Sequence, residues 1–277
     1  MNLYVKLLLV LFPILLVSCK MEQPEVRIDF AKILYRNIAP VEHEVNSAVT
    51  MMDVPALKRV ADLKYLVAPG DTLNVQILEF QSDVYAMDYY MNSGRFQGFM
   101  PILRGEYLEQ SLRADSRIFI FKHDCFRRYE RSDFETYVRD FPGFRGGFPQ
   151  EFLSLPFEYR EAGRTSIQTK FFMGVKAVFP VLVQSYRNED MQWNVARSWD
   201  QVEQVNFNFW TSQLTSVKPR NVDVDRDVFY FDAGNKGNGM AKRLAGGRVV
   251  VVWGYLSWED LAKKFKVASD RIYEARF

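Results

Sequence analysis

Histidine and cysteine are nearly absent from this chain, with two of each in 277 residues. Two histidines, His43 and His123, cannot supply the histidine clusters on which many metal sites are built, so no metal is expected. Two cysteines, Cys19 and Cys125, cannot make a disulfide framework, and a packed core has to carry the stability instead. An excess of one charge is missing as well. The 36 basic residues stand against 34 acidic ones, which leaves no surplus to neutralise phosphates and argues against a nucleic-acid partner. The chain also lacks a G-x-S-x-G elbow, an H-E-x-x-H helix, a C-x-x-C pair, a P-loop and a dinucleotide fingerprint. No cofactor is therefore expected, and the odds of an enzyme fall without vanishing.

Long apolar runs are scarce too, apart from Leu7 to Val17. As a helix that run would reach only about 17 Å, against a hydrocarbon core of about 30 Å. It is too short for a comfortable span but has the size of a signal-peptide core, and Pro13 interrupts it. Lys6 is the only charge before it, and small Ser18 separates it from Cys19. The block Leu16-Val17-Ser18-Cys19 resembles the lipobox of bacterial lipoproteins. The resemblance is confined to residues 1–20. It implies a signal peptide over 1–18, cleavage before Cys19, and lipid attachment at Cys19 through its thiol and its new amine. Each buried methylene contributes about 0.8 kcal/mol, so several acyl chains hold a protein to a membrane durably. Lys20, standing where aspartate tends to retain such proteins at the inner membrane, resembles the outer-membrane class. An ordinary cleaved signal peptide is the competing reading. Residues 19–27 form a polar tether.

The remainder has the composition of a folded globular protein, 48% hydrophobic and 25% charged. Its 23 phenylalanines point to core more than to sugar-stacking surface, which draws on Trp and Tyr. Residues 28–66 read as helical, with Ile28, Ala31, Ile33, Leu34 and Ile38 at roughly helical spacing and a second start at Asp53-Val54-Pro55. After the turn at Pro69-Gly70-Asp71 the first α+β half runs over 67–152. A strand is predicted over 74–80, a Ser82-capped helix over 83–91, and strands at 95–102, 116–122 and 125–130. Ser132-Asp133-Phe134-Glu135 has the form of a capping box and opens a helix to about Phe141. In the second half, 153–277, strands are predicted at 166–173, 178–184, 204–212, 226–232 and 247–253, and a helix at 186–198.

The second half repeats signals of the first. Phe134 to Phe141 aligns without gaps on Trp258 to Phe265, each after an apolar strand that begins with arginine, at Arg117 and Arg248. Phe80-Gln81-Ser82 finds an echo in Val183-Gln184-Ser185. Duplication explains this economically. The expected fold is α+β, with two similar halves, each an antiparallel sheet with helices packed on one face.

Candidate chemistry is sparse. His123 and Cys125 would share a strand face, but no oriented base or oxyanion hole accompanies them, so core or turn is the expected role. Asp223, Asp225 and Asp227 alternate at a strand entry without calcium-loop spacing. Two loops are candidate binding loops. One is the aromatic and glycine-rich connector 141–152, which presents Arg145. The other is the glycine-rich stretch 234–243, which presents Lys236, Lys242 and Arg243. The leading expectation is a non-catalytic binding or scaffolding protein, attached to the membrane through N-terminal acyl chains and meeting an envelope protein partner. The competing one is a hydrolase that uses loop carboxylates on envelope glycan or peptide.

Overall fold

The computed structural model describes residues 28–46, 54, 56–92, 102–105, 107–124, 129–146, 150–219 and 225–275. The lipobox block with Cys19, the tether, Cys125, Asp223 and most of the strands expected at 95–102 and 125–130 lie outside those residues. The fold is α+β, and the described residues form two antiparallel sheets of similar size and four α-helices.

The first sheet takes β1 (Glu42–Asn46), β2 (Leu57–Ala68), β3 (Asp71–Phe80), β4 (Ile102–Arg104), β5 (Tyr107–Ala114) and β6 (Arg117–Asp124), in the order β1-β2-β3-β6-β5-β4. Period two decides what each face does. On β3, Leu73, Val75 and Ile77 point into one cluster with Phe119 and Phe121 of β6, while Leu78 and Phe80 point into another with Ile118 and Ile120. Helix α1 (Asp83–Asn92) places Ala86 in the second cluster, and α2 (Arg131–Arg139) places Phe134, Tyr137 and Val138 in the first. The two helices therefore lie on opposite faces of the sheet, not on one face.

The second sheet takes β7 (Arg160–Gln168), β10 (Val181–Asn188), β11 (Met191–Ser198), β12 (Thr215–Ser216), β13 (Phe229–Asp232), β14 (Asn238–Arg243) and β15 (Val249–Gly254), ordered β12-β13-β14-β15-β11-β10-β7. A small hairpin of β8 (Phe171–Phe172) and β9 (Val175–Lys176) is inserted after β7. Helix α3 (Gln204–Ser212) packs Phe207 and Trp210 on Val181, Val183, Val249 and Val251. Helix α4 (Trp258–Glu274) packs Leu261, Phe265, Ala268 and Ile272 on the other face, with Leu182, Val195, Val250 and Val252. Val84 and Met87 on the far side of α1 join that same cluster, so α1 is shared between the two sheets. Among the described residues no helix is long and apolar enough to cross a membrane.

Both sheets follow one path. Three antiparallel strands lead to a helix. Further strands then return, the last pairs with the third, and a second helix closes the unit. The registers coincide in detail. Ala61↔Ile77 and Val75↔Phe121 in the first sheet match Leu182↔Arg197 and Val195↔Val252 in the second. Tyr65↔Leu73 matches Tyr186↔Trp193. Tyr65 and Tyr186 are each fully buried and make the same contact. Each hydroxyl donates to a carbonyl of the segment entering its sheet, Tyr65 to Ile33 at 3.1 Å and Tyr186 to Pro156 at 3.0 Å. Burial pushes both hydroxyls up to about 12.

Several expected elements change type. The described residues of 28–66 are not helical beyond the short 3₁₀ turn Phe30–Lys32 and carry β1 and most of β2, while the second start expected at Asp53 and Pro55 lies outside the described residues. The alternation Ala61, Leu63, Tyr65 against Asp62 and Lys64 is a strand period, and pairing with β3 enforces it. Residues 186–198 form the β10–β11 hairpin, with Trp193 and Val195 facing the core. Residues 204–212 are α3 instead of a strand, with Phe207 and Trp210 inside and Val205 and Phe209 outside. Helix α2 takes Glu130 as its N-cap, so Ser132 lies inside the first turn. Val183-Gln184-Ser185 sits in the middle of β10 and is no counterpart of Phe80-Gln81-Ser82.

Candidate binding surface

The residues singled out in the two loops do not form one site. The Arg145 backbone N–H donates to Asp115 Oδ2 at 2.9 Å, which ties that loop to the β5–β6 turn. Lys236 is exposed on a 3₁₀ turn before β14. Lys242 is in ion pairs with Asp225 at 2.9 Å and Asp227 at 3.8 Å, so the acidic run and the basic loop neutralise each other. The Arg243 guanidinium donates to the Val202 carbonyl. Lys236 and Arg243 flank β14 at opposite ends, about 20 Å apart at strand rise. The glycines in this stretch serve packing: a Cβ on Gly237 would stand 2.2 Å from the Gly254 carbonyl oxygen, and one on Gly239 would stand 2.3 Å from the Phe231 ring. His123 is 2% exposed and lies tilted against the Tyr129 ring at 4.4 Å, a core position. Among the described residues no group of three or more His, Cys, Asp or Glu is placed to hold a metal.

The open part of the first sheet's α1 face is a shallow cavity of about 510 Å³ lined by Glu42, Glu44, Asp62, Lys64, Gln76 and Lys122. Its groups largely satisfy one another: Lys64 pairs with Glu42 at 3.0 Å, and Gln76 donates to Asp62 at 2.9 Å. That is the ordinary solvated side of an antiparallel sheet.

A different surface stands out beside α4. Ser257 caps the helix by accepting from the Asp260 N–H at 3.1 Å, which fixes its phase. With Leu261, Phe265, Ala268 and Ile272 inward, Lys264, Val267 and Arg271 fall on the outward side at i, i+3 and i+7. The chain entering β7 lays Phe157 and Tyr159 alongside. Arg160 holds it there, donating to the carbonyls of Phe152 at 3.2 Å, Leu155 at 3.0 Å and Pro156 at 3.2 Å. The Lys264 ammonium stands 4.3 Å from the Trp193 ring centroid and 5.5 Å from that of Tyr159. The Arg271 guanidinium lies 5.4 Å from the Phe157 centroid. Such cation–ring contacts contribute roughly 0.5–1 kcal/mol each at exposed sites. Neither Lys264 nor Arg271 has a carboxylate within ion-pairing distance among the described residues.

The rings themselves are open to solvent: Phe157 is 54% exposed, Tyr159 50% and the adjoining Val267 58%. Tyr159 also carries a backbone φ of 63°, a left-handed conformation that costs a tyrosine of order 1–3 kcal/mol. Its carbonyl is fixed there by the Arg187 N–H at 2.9 Å. Sequence reading passed over this surface because its two parts lie a hundred residues apart. The usable signals were Phe157-Glu158-Tyr159-Arg160 and the cationic, apolar spacing opposite the buried stripe of α4.

No known protein family, characterised protein or solved structure matches the chain.

Proposed function

We propose that the chain is a non-catalytic binding protein of the bacterial envelope, held at the outer membrane by acyl chains on Cys19 and built from two copies of one duplicated α+β unit. The lipobox resemblance supports the anchor. The matched registers and the paired Tyr65 and Tyr186 contacts support the duplication. The contact surface is the one formed by Phe157, Tyr159, Lys264, Val267 and Arg271. The observation that carries this reading is two cations against aromatic rings, with no carboxylate within 4 Å among the described residues and beside exposed apolar area. That chemistry suits a protein segment bearing carboxylates and apolar side chains.

Two buried carboxylates, Glu79 and Asp71, are already engaged within the fold. Glu79 accepts from Arg59 at 2.7 Å and from Arg117 at 3.1 Å, and Asp71 accepts from Tyr129 at 3.1 Å. The test is crosslinking in native membranes with the full lipidated chain, followed by recovery of partners. Tyr159→Gly removes a ring and relieves the left-handed backbone, so stability should hold or rise while partner recovery falls. Lys264→Glu should cut recovery by about tenfold, equivalent to 1.4 kcal/mol. Undiminished recovery with both variants, or turnover of envelope glycan or peptide by the purified chain, would overturn the proposal.

A further inference from the structure

Inside the chain, α1 docks on the face of the second sheet at β7. Val84 and Met87 cover Ile167, which is 1% exposed, and Asn92 Nδ2 donates to the Ile167 carbonyl at 2.7 Å. Thr169 adds a hydroxyl hydrogen bond to Asp88. Ile167 pairs with Leu182 across β7 and β10.

The shared path of the two halves gives both partners of this contact a counterpart. Leu182 corresponds to Ala61, whose neighbour on the edge strand β1 is Val45. Val45 thus stands where Ile167 stands, yet it is 39% exposed, and nearby Val41 is 56% exposed. Helix α1 corresponds to α3. Aligning their sheet-facing residues, Ala86 with Phe207 and Tyr90 with Thr211, sets Val205 against Val84, Asn208 against Met87 and Phe209 against Asp88. Val205 is 65% exposed and Phe209 52% exposed. Among the described residues, the first half therefore presents an acceptor face with no helix on it, and the second half presents a helix with no acceptor against its outer side.

We propose that a second copy of this chain fills both vacancies, docking its α3 on the β1 face in repetition of the internal contact of α1 on β7. Apart from its N-cap Glu203, α3 carries no charged side chain, and its remaining outward residues are Asn, Gln and Ser, while period two turns Glu42 and Glu44 of β1 to the sheet face opposite Val45. The contact joins two different patches, so it runs head to tail, and copies would string together instead of closing as a two-fold dimer. Confinement to a membrane would raise the local concentration that such a weak contact needs. This goes beyond the binding role above. It uses another surface and would stand even if Phe157 and Tyr159 met nothing.

The test uses full chains carrying Cys125→Ser together with either Val45→Cys or Phe209→Cys, mixed under mild oxidation on membranes. Mixtures should give disulfide-linked dimers in at least tenfold excess over either variant alone, and a chain with both cysteines should give a ladder. Adding Val205→Lys, which alters only an exposed position, should abolish both products. Equal yields from single variants and mixtures, dimers joined only through like positions, or a ladder unaffected by Val205→Lys would overturn the proposal. Loss of these crosslinks with undiminished recovery of an envelope partner would leave the binding role intact and remove only the self-association.

Discussion

At the scale of residues, the second half replaces apolar packing with buried polar anchors at positions the first half fills simply. Arg197 occupies the place of Ile77. It is fully buried and donates to Ser154 Oγ at 2.7 Å, the Ser198 carbonyl at 2.8 Å and the Trp199 carbonyl at 3.0 Å. Burial, reinforced by nearby Arg248, brings its guanidinium down to about 10. Tyr65 and Tyr186 show what both halves share, a hydroxyl reaching back to the entering segment. The two differ in redundancy. Ile33 O depends on Tyr65, which also meets the Tyr137 hydroxyl at 3.0 Å, whereas Pro156 O is shared with Arg160. Tyr65→Phe should therefore cost about 1–2 kcal/mol in urea unfolding at neutral pH, and Tyr186→Phe less. Both hydroxyls remain protonated in the folded chain to about pH 12, while the unfolded chain ionises near 10. Between those values the folded state holds more protons, so stability is complete below about pH 10 and falls as pH rises. The slope is about 1.4 kcal/mol per pH unit for each group. The double Phe variant should flatten that fall, and an unchanged slope would contradict the assignment.

At the scale of elements, legibility followed period. Strands with clear alternation or an apolar run bounded by turns, such as β3, β6 and β15, could be read directly, as could α1 with Ser82 before it. Residues 204–212 misled because Val205, Phe207 and Phe209 alternate like a strand, yet only Phe207 is buried. Phe209 is exposed on α3, so an apolar residue on a solvent face counterfeited the wrong period. Residues 186–198 pose the opposite difficulty, since the Glu189-Asp190 turn lacks glycine and nothing in the sequence marks the break between β10 and β11. The glycine-rich stretch before β14 read as an adaptable loop. Its glycines instead permit backbone contact, with Gly237 at φ 89° against Gly254, while the Tyr255 hydroxyl and Asn238 fasten its ends. Gly237→Ala should lower stability by about 2–4 kcal/mol in denaturant unfolding. Gly246→Ala, where the new methyl meets open space, should stay within about 0.5 kcal/mol. Equal effects would contradict the packing role given to Gly237.

At the scale of the whole molecule, the repeated order of strands and helices was visible in Phe134–Phe141 against Trp258–Phe265, because a helix after an apolar strand leaves a local trace. The depth of the match was not. The Tyr65 and Tyr186 contacts and the sharing of α1 between sheets depend on residues far apart in the chain, which no local period reveals. The surface proposed for binding was hidden for the same reason, being assembled from 157–159 and α4. The proposed placement of this body at a membrane rests on the single thiol of Cys19. Mass spectrometry of the N-terminal peptide from the native host tests that most directly. The expected product begins at Cys19 and carries thioether-linked diacylglycerol with an acylated amine. A peptide retaining residues 1–18, or one beginning at an unmodified Cys19, would contradict the account.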